Sequence, residues 1–252
     1  MVNKDTKIFI SIASTPGNIG AEFYNNNFKK KKINGVYIPI KIKDNCKDVI
    51  TSIVKLGISG CSVSMPHKSK IIKYLNYVED DAKEINSVNT IVNKNGKLSG
   101  YNTDIYGVSK ILASLRLKKD SKVLLVGSGS MTKTFYSQLV KLMYYDIYLT
   151  NRKNKKILNV ESKKIINWNK KIDFKFDMLI NTTPLGMIKH RNFPIKSFNF
   201  RNCKTVIDVV AIPKETSLAI YSKKKRIKYI GGKKISELQV KKQFEHYTGI
   251  KI

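Results

Sequence analysis

The sequence predicts an α/β protein of two domains. An N-terminal α/β layer over 1–105, joined by a C-terminal helix at 235–252, would stand beside a doubly wound, nucleotide-binding layer over 106–234. Three observations carry this expectation. Short apolar runs alternate with helical stripes, the pattern of a sheet flanked by helices. One run, Val123-Leu124-Leu125-Val126, is apolar at every position, as a strand buried on both faces must be. It leads directly into Gly127-Ser128-Gly129-Ser130, a glycine turn ahead of a helix.

The elements follow in order. Ile8 to Ile12 is an apolar strand that ends near the turn residues Pro16-Gly17-Asn18, and Tyr24 and Phe28 then lie one helical turn apart. Val36 to Ile40 is a second strand. Val49, Ile50, Ile53 and Val54 stripe a helix, which passes through Gly57 to a short strand at Cys61 to Ser64. Pro66 is placed to open a helix whose buried side would be Ile71, Ile72 and Leu75. Thr90-Ile91-Val92 and Leu98 to Tyr101 flank Lys94-Asn95-Gly96, and the Asn-Gly pair predicts a hairpin. In the second half a helix carrying Phe135, Leu139 and Leu142 follows the glycine turn, with strands at Ile147 to Thr150, Met178 to Ile180 and Val206 to Val209. Ile235 to Tyr247 is helical in pattern and is expected to pack back on the first domain.

Composition narrows the function classes. At 252 residues with 42% hydrophobic side chains the chain can bury a core, and no stretch approaches the roughly 20 apolar residues of a spanning helix. The N-terminus carries no secretory pattern, so a cytoplasmic protein is expected. Cys46, Cys61 and Cys203 are too widely spaced for a disulfide framework or a metal pair, and His67, His190 and His246 lack metal-ligand spacing, so no metal is expected. The net charge of +30 ordinarily suggests nucleic acid. Yet only five of the 48 basic residues are arginine, the residue suited to bidentate phosphate and base contacts, and the lysines form no stripe or motif. Compositional drift accounts for the excess better than a dedicated nucleic-acid partner.

Several sequence sets carry chemistry. Gly127-x-Gly129, between an apolar strand and a helix, is where backbone N–H groups would hold a pyrophosphate; lacking the usual third glycine, it is also compatible with a plain tight turn. At the end of the next strand, 24 residues past Gly127, stands Asn151-Arg152-Lys153-Asn154-Lys155-Lys156. A carboxylate there would suit NAD and repel a 2′-phosphate, whereas a guanidinium and lysines would hold one, so NADP is preferred. The competing reading is one more lysine-rich loop. In the first domain, Ser64-Met65-Pro66-His67-Lys68 would set an ammonium at the positive end of a helix, where it is either merely exposed or kept for a task. Asn86 to Thr90 and Gly100 to Asp104 add polar sets at element ends, each singly readable as capping.

Taken in order, Val63-Ser64-Met65-Pro66-His67-Lys68, Ser87-Val88-Asn89-Thr90, Gly100-Tyr101-Asn102-Thr103-Asp104, the glycine turn and Asn151-Arg152 resemble the shikimate dehydrogenase family. Asn181-Thr182-Thr183-Pro184-Leu185-Gly186-Met187, Asp208-Val209-Val210-Ala211-Ile212-Pro213 and Gln239 through Phe244 to Gly249 extend the resemblance over almost the whole chain. It implies a substrate domain and a Rossmann-type NADP-binding domain facing one cleft, and reversible NADPH-dependent reduction of 3-dehydroshikimate to shikimate on the path to chorismate and the aromatic amino acids. It also implies Lys68 and Asp104 as the catalytic pair, and Asn18, Ser64, Asn89 and Gln239 as substrate-binding positions. Gly127, Ser128, Gly129, Ser130, Met131, Asn151, Arg152, Lys153, Lys156, Val209 and Gly232 would face NADP(H). Two departures place the chain nearest a divergent, shikimate dehydrogenase-like branch. The two serines that family members use for the substrate carboxylate fall on Asn18 and Gly20, and a tyrosine that meets substrate is replaced by Ala211. These leave open quinate or another cyclic hydroxy acid as substrate, and a lysine-rich nucleic-acid-binding protein on a retained enzyme fold is the alternative of a different class. A monomer and a homodimer fit the motifs equally.

Overall fold

The structure is a computed structural model, and it describes residues 2–43, 45–115, 117–152, 161, 164–168, 171–188 and 190–252. The described residues divide into two compact units, Met1–Tyr106 with Gln239–Ile252, and Gly107–Leu238.

In the first unit, β1 (Lys7–Ala13), β2 (Gly35–Lys41) and β3 (Gly60–Val63) run parallel, linked through α1 (Ile19–Lys30) and α2 (Cys46–Lys55). β4 (Tyr77–Val78) and α3 (Asp80–Glu84) precede the hairpin of β5 (Thr90–Lys94) and β6 (Lys97–Tyr101), and the sheet order is β2-β1-β3-β5-β6-β4. The hairpin turns at Asn95 and Gly96, both with positive φ, as the Asn-Gly pair predicts. Alternation along β1 divides the core between the sheet's two faces. Ile10 and Ile12 pack with Ile50, Ile53, Val63 and Ile91, whereas Phe9 joins an aromatic layer with Tyr24, Phe28, Tyr37 and Phe244. Phe244 is fully buried there, so the C-terminal helix does return to the first unit.

One local expectation fails. Pro66 opens no α-helix: residues 65–71 form turns, and only a 3-10 helix, Ile72–Tyr74, follows. The reason is a competing hydrogen bond. The Lys68 carbonyl, which a continuing α-helix would give to the N–H of Ile72, accepts the N–H of Val88 at 2.9 Å. The segment is thereby tied to the strand that begins at Thr90, and no α-helix starts at Lys68.

The second unit begins within α4 (Thr103–Ala113). It contains β7 (Val123–Val126), α5 (Ser130–Lys141), β8 (Ile147–Asn151), β9 (Ile165–Asn167), β10 (Met178–Asn181), β11 (Thr205–Asp208), α6 (Ser217–Lys224) and β12 (Lys228–Gly231). All its strands are parallel in the order β12-β11-β10-β7-β8-β9, the doubly wound arrangement whose order reverses between β7 and β10. Ligands of such sheets bind beyond the C-terminal ends of the strands at that reversal. β7 is wholly buried: Val123 and Leu125 pack toward Phe135 and Leu139 of α5, and Leu124 and Val126 toward Phe176, Val206 and Leu218. The last helix, α7 (Gly232–Thr248), starts directly after β12.

In the last turn of α7, His246 stacks on Tyr101 with ring centroids 4.2 Å apart. Burial, assisted by Lys242 and opposed by Glu245, lowers the His246 pKa below its ordinary value of about 6.5. The unfolded chain therefore takes up this proton more readily, so the stability tied to neutral His246 is present above about pH 6.5 and is lost as pH falls through the lower folded value. Acidification from pH 7 to pH 5 should lower the melting temperature less in His246→Phe than in the wild type. Calorimetry on both proteins checks this, and equal slopes would remove His246 from the account.

Candidate active site

The polar groups of the first unit converge at the ends of β3, β5 and β6 and the start of α4. Lys68 Nζ lies 2.5 Å from Asp104 Oδ2, with the two side chains 16% and 13% exposed. Asp104 stands in the first turn of α4, where a negative charge is favoured, and its N–H donates to Asn102 Oδ1 at 3.0 Å. Asn102 Nδ2 in turn donates to the Ser87 carbonyl at 2.7 Å. Asn89, 3% exposed, accepts on Oδ1 from the Thr103 N–H at 2.9 Å. Gln239 Nε2 donates to Thr103 Oγ1 at 3.1 Å. Lys68, Asp104, Asn102 and Ser87 thus form one bonded set and Asn89, Thr103 and Gln239 a second, and the two meet at the consecutive residues Asn102, Thr103 and Asp104. Ser64, exposed just past β3, has its N–H on the Ile12 carbonyl and its hydroxyl free of any described bond. Asn18 is exposed at the N-terminus of α1 and makes no capping bond with its side chain. Beside it, a Cβ at Gly20 would have the Tyr37 ring and hydroxyl as its nearest neighbours, at 3.5 Å.

Among residues the motifs did not single out, Gln243 is the most connected. Its Nε2 donates to the Asn89 carbonyl at 3.0 Å and to Thr90 Oγ1 at 2.6 Å, and its Oε1 accepts from Tyr24 OH and from Ser62 Oγ. The signal was available, since Gln239 and Gln243 are four apart and therefore share one face of α7.

In the second unit the turn after β7 is built for a close approach. Gly127 has φ +135°, and a Cβ there would collide with Thr182 Oγ1 and stand 3.0 Å from Thr132 Oγ1. Those two hydroxyls are 2.6 Å apart, and Thr182 Oγ1 donates to the Val126 carbonyl at 2.7 Å. Ser128 and Gly129 are exposed, Ser130 and Met131 partly so, and nothing lies within 4 Å of a Cβ placed on Gly129. Gly129 caps α5 without a side-chain bond, so the N–H groups of its first turn are left to an external acceptor. These observations fit a phosphate-bearing cofactor. Asn151 is buried at the end of β8 and Arg152 is exposed directly after it, while Lys153 and Lys156 lie outside the described residues. Val209 is partly buried, its N–H on the Asn181 carbonyl, and a Cβ at Gly232 would strike the Val209 carbonyl oxygen. Gly232 thus has a packing reason to be glycine.

Asp208, at the end of β11, is fully buried among neutral donors. Asn181 Nδ2 and the Val210 N–H reach Oδ1 at 3.0 and 3.2 Å, and the Thr216 and Tyr229 hydroxyls reach Oδ2 at 2.8 and 3.2 Å. Burial raises its pKa, and the hydrogen bonds partly oppose that shift.

Comparison with known proteins bears on this geometry. Residues 19–91 match the family model for the shikimate dehydrogenase substrate binding domain. Over 98% of its length the chain is 34% identical to a shikimate dehydrogenase-like protein of Haemophilus influenzae, covering 93% of that protein. The chain belongs to the shikimate dehydrogenase family. A second member, the shikimate dehydrogenase (NADP(+)) of Pyrococcus furiosus, is 31% identical over 99% of this chain and 93% of its own. A solved shikimate dehydrogenase in complex with NADP+ superposes with a TM-score of 0.81 at 29% identity, covering the whole chain and 93% of the other. The mixed α/β architecture and the doubly wound layer of this shikimate dehydrogenase family member are those of its solved relatives. Among its described residues no group of three His, Cys, Asp or Glu could hold a metal ion, and no helix is long and apolar enough to cross a membrane.

Proposed function

We propose that the chain is an oxidoreductase that interconverts 3-dehydroshikimate and shikimate with NADP(H). The observation that carries this is the Lys68–Asp104 ion pair, 2.5 Å long, set beside Asn89 and Gln239 in the unit that contains the family's substrate-binding match. The names of the relatives supply the substrate and the cofactor.

NADPH supplies the hydride in reduction, and NADP+ takes it up in oxidation. In reduction, negative charge develops on the carbonyl oxygen as its carbon gains the hydride. The Lys68 ammonium stabilises that charge and gives the oxygen a proton, yielding the hydroxyl and a neutral amine. The reverse reaction returns the proton to Lys68. Asp104 holds Lys68 in place and accepts a bond from a substrate hydroxyl. Ser64, Asn89, Gln239 and Asn18 hold the remaining oxygens of the ring and its carboxylate, Asn18 as an amide donor where relatives use serine. Gly127 to Met131 would cradle the pyrophosphate, Asn151 and Arg152, with Lys153 and Lys156, would hold the adenosine 2′-phosphate, and Val209 and Gly232 would border the nicotinamide.

Steady-state rates with shikimate and with quinate, each with NADP+ and with NAD+, test the reading. Shikimate with NADP+ should give the highest kcat/KM, and a preference for quinate would overturn the substrate assignment. A charge-assisted contact to phosphate contributes about 1.5–3 kcal/mol, so Arg152→Ala should raise the KM for NADP+ by roughly tenfold or more. The KM for NAD+ should stay within about threefold; an equal rise for both would remove Arg152 from the 2′-phosphate site.

A further inference from the structure

We propose that Gln243 and Thr90 are positioning residues that fix the direction of the Asn89 side-chain amide, so that Asn89 meets its ligand only as a hydrogen-bond donor. The argument starts from a group with no choice. A backbone carbonyl can only accept, so the amide end of Gln243 that faces the Asn89 carbonyl at 3.0 Å is Nε2. The other Nε2 hydrogen then goes to Thr90 Oγ1 at 2.6 Å, and Oε1 is left for the hydroxyls of Tyr24 and Ser62. Because Thr90 Oγ1 accepts from Gln243, its single hydrogen is free to donate, and the short acceptor within reach is Asn89 Oδ1 at 2.7 Å, against 3.4 Å to Thr103 Oγ1.

A second branch reaches the same atom. Gln239 Nε2 donates to Thr103 Oγ1, whose hydrogen goes to Asn89 Oδ1 at 3.2 Å, and the Thr103 N–H joins it at 2.9 Å. Asn89 Oδ1 thus accepts three bonds, and Nδ2 is the end of the amide that no described bond occupies. The far side of the relay keeps its direction across ordinary pH. Burial pushes the Tyr37 hydroxyl up to about 12 and raises those of Tyr24 and Tyr247 as well, so all three remain protonated donors. Tyr37 donates to Ser62 Oγ at 2.6 Å, and because Ser62 spends its own hydrogen on Gln243, Tyr247 also donates to it, at 3.0 Å. The position in front of Asn89 therefore selects an oxygen lone pair, such as a ring hydroxyl or carbonyl oxygen. A ligand hydrogen aimed there finds no acceptor.

The inference rests on the substrate reading above, and the experiment separates the two. Thr90→Val removes the relay hydroxyl and Thr90→Ser keeps it; Gln243→Met removes the donor upstream. Losing one of the three bonds that orient Asn89 should raise the KM for shikimate about tenfold in Thr90→Val and in Gln243→Met. kcat and the KM for NADP+ should stay within about threefold, and Thr90→Ser should remain close to wild type. The double variant Thr90→Val/Gln243→Met should be no worse than the more severe single variant, because both act through one bond. An unchanged KM in Thr90→Val, or a double variant in which the two effects multiply, overturns the relay. If the wild type does not oxidise shikimate, the substrate reading falls, and the relay is decided on the free wild-type protein by NMR. Only weak contacts are expected between the Asn89 side-chain amide protons and the Thr103 backbone amide proton. A strong contact would mean that Nδ2, not Oδ1, faces Thr103, and would overturn the relay without any substrate or variant.

Discussion

Alanine in place of Lys68 is expected to lower kcat for shikimate oxidation by about 10³-fold, equivalent to about 4 kcal/mol of transition-state stabilisation. Two effects add in that loss. The developing alkoxide loses its nearest cation, and the proton loses its carrier. The KM for NADP+ should move by no more than about threefold, since nothing in the glycine turn depends on Lys68. Asp104 would be left in a pocket where its side chain is only 13% exposed, without the ammonium that stood 2.5 Å away. Some thermal destabilisation is therefore expected too, and Lys68→Arg controls for it by keeping a cation beside Asp104 in the form of a guanidinium, which does not give up its proton. If Lys68→Ala keeps kcat within a few-fold of wild type, Lys68 is not the proton carrier.

Gly127→Ala is expected to damage both the folding of the second unit and its cofactor binding. The backbone there has φ +135°, a conformation costing an L-residue about 1–3 kcal/mol, and the new methyl would drive into Thr182 Oγ1 and crowd Thr132 Oγ1. Relief would mean breaking the contact between those hydroxyls or the bond from Thr182 to the Val126 carbonyl, at the point where the sheet order reverses. The free protein should melt several degrees lower and the KM for NADP+ should rise tenfold or more. Gly129→Ala separates folding from binding. Its backbone is extended at φ −89°, and a Cβ meets nothing within 4 Å, so the melting temperature should not change. A raised KM for NADP+ in that variant would report the cofactor's approach alone. If both variants bind NADP+ as the wild type does, the turn is not a phosphate cradle.

The strands were legible because their periodicity is unambiguous. β7 is four apolar residues ahead of a glycine turn, and β1 alternates between two buried faces. The segment after Pro66 was not legible, although Ile71, Ile72 and Leu75 have helical spacing. What decides its shape is the Val88 N–H, 20 residues away in the chain, which takes the Lys68 carbonyl. No local pattern contains that information. The same limit applies to the site. Lys68, Asp104, Asn89 and Gln239 stand inside recognisable motifs, whereas the importance of Gln243 comes from bonds to Asn89, Thr90, Ser62 and Tyr24, which lie 153 to 219 residues away in the chain. The +30 charge is a bulk property of the chain and points to no particular residue.

The carboxylate of Asp208 has a consequence for how the second unit can open. Through two oxygen atoms it joins the end of β10 at Asn181, the loop at Val210, the cap of α6 at Thr216 and β12 at Tyr229. Thr216 also receives the Ala219 N–H, so the helix hangs from the same point. Detaching any one of these segments strands part of a buried charge that pairs with no cation among the described residues. In local unfolding these segments are therefore expected to open together, and the loop carrying Ala211 with them.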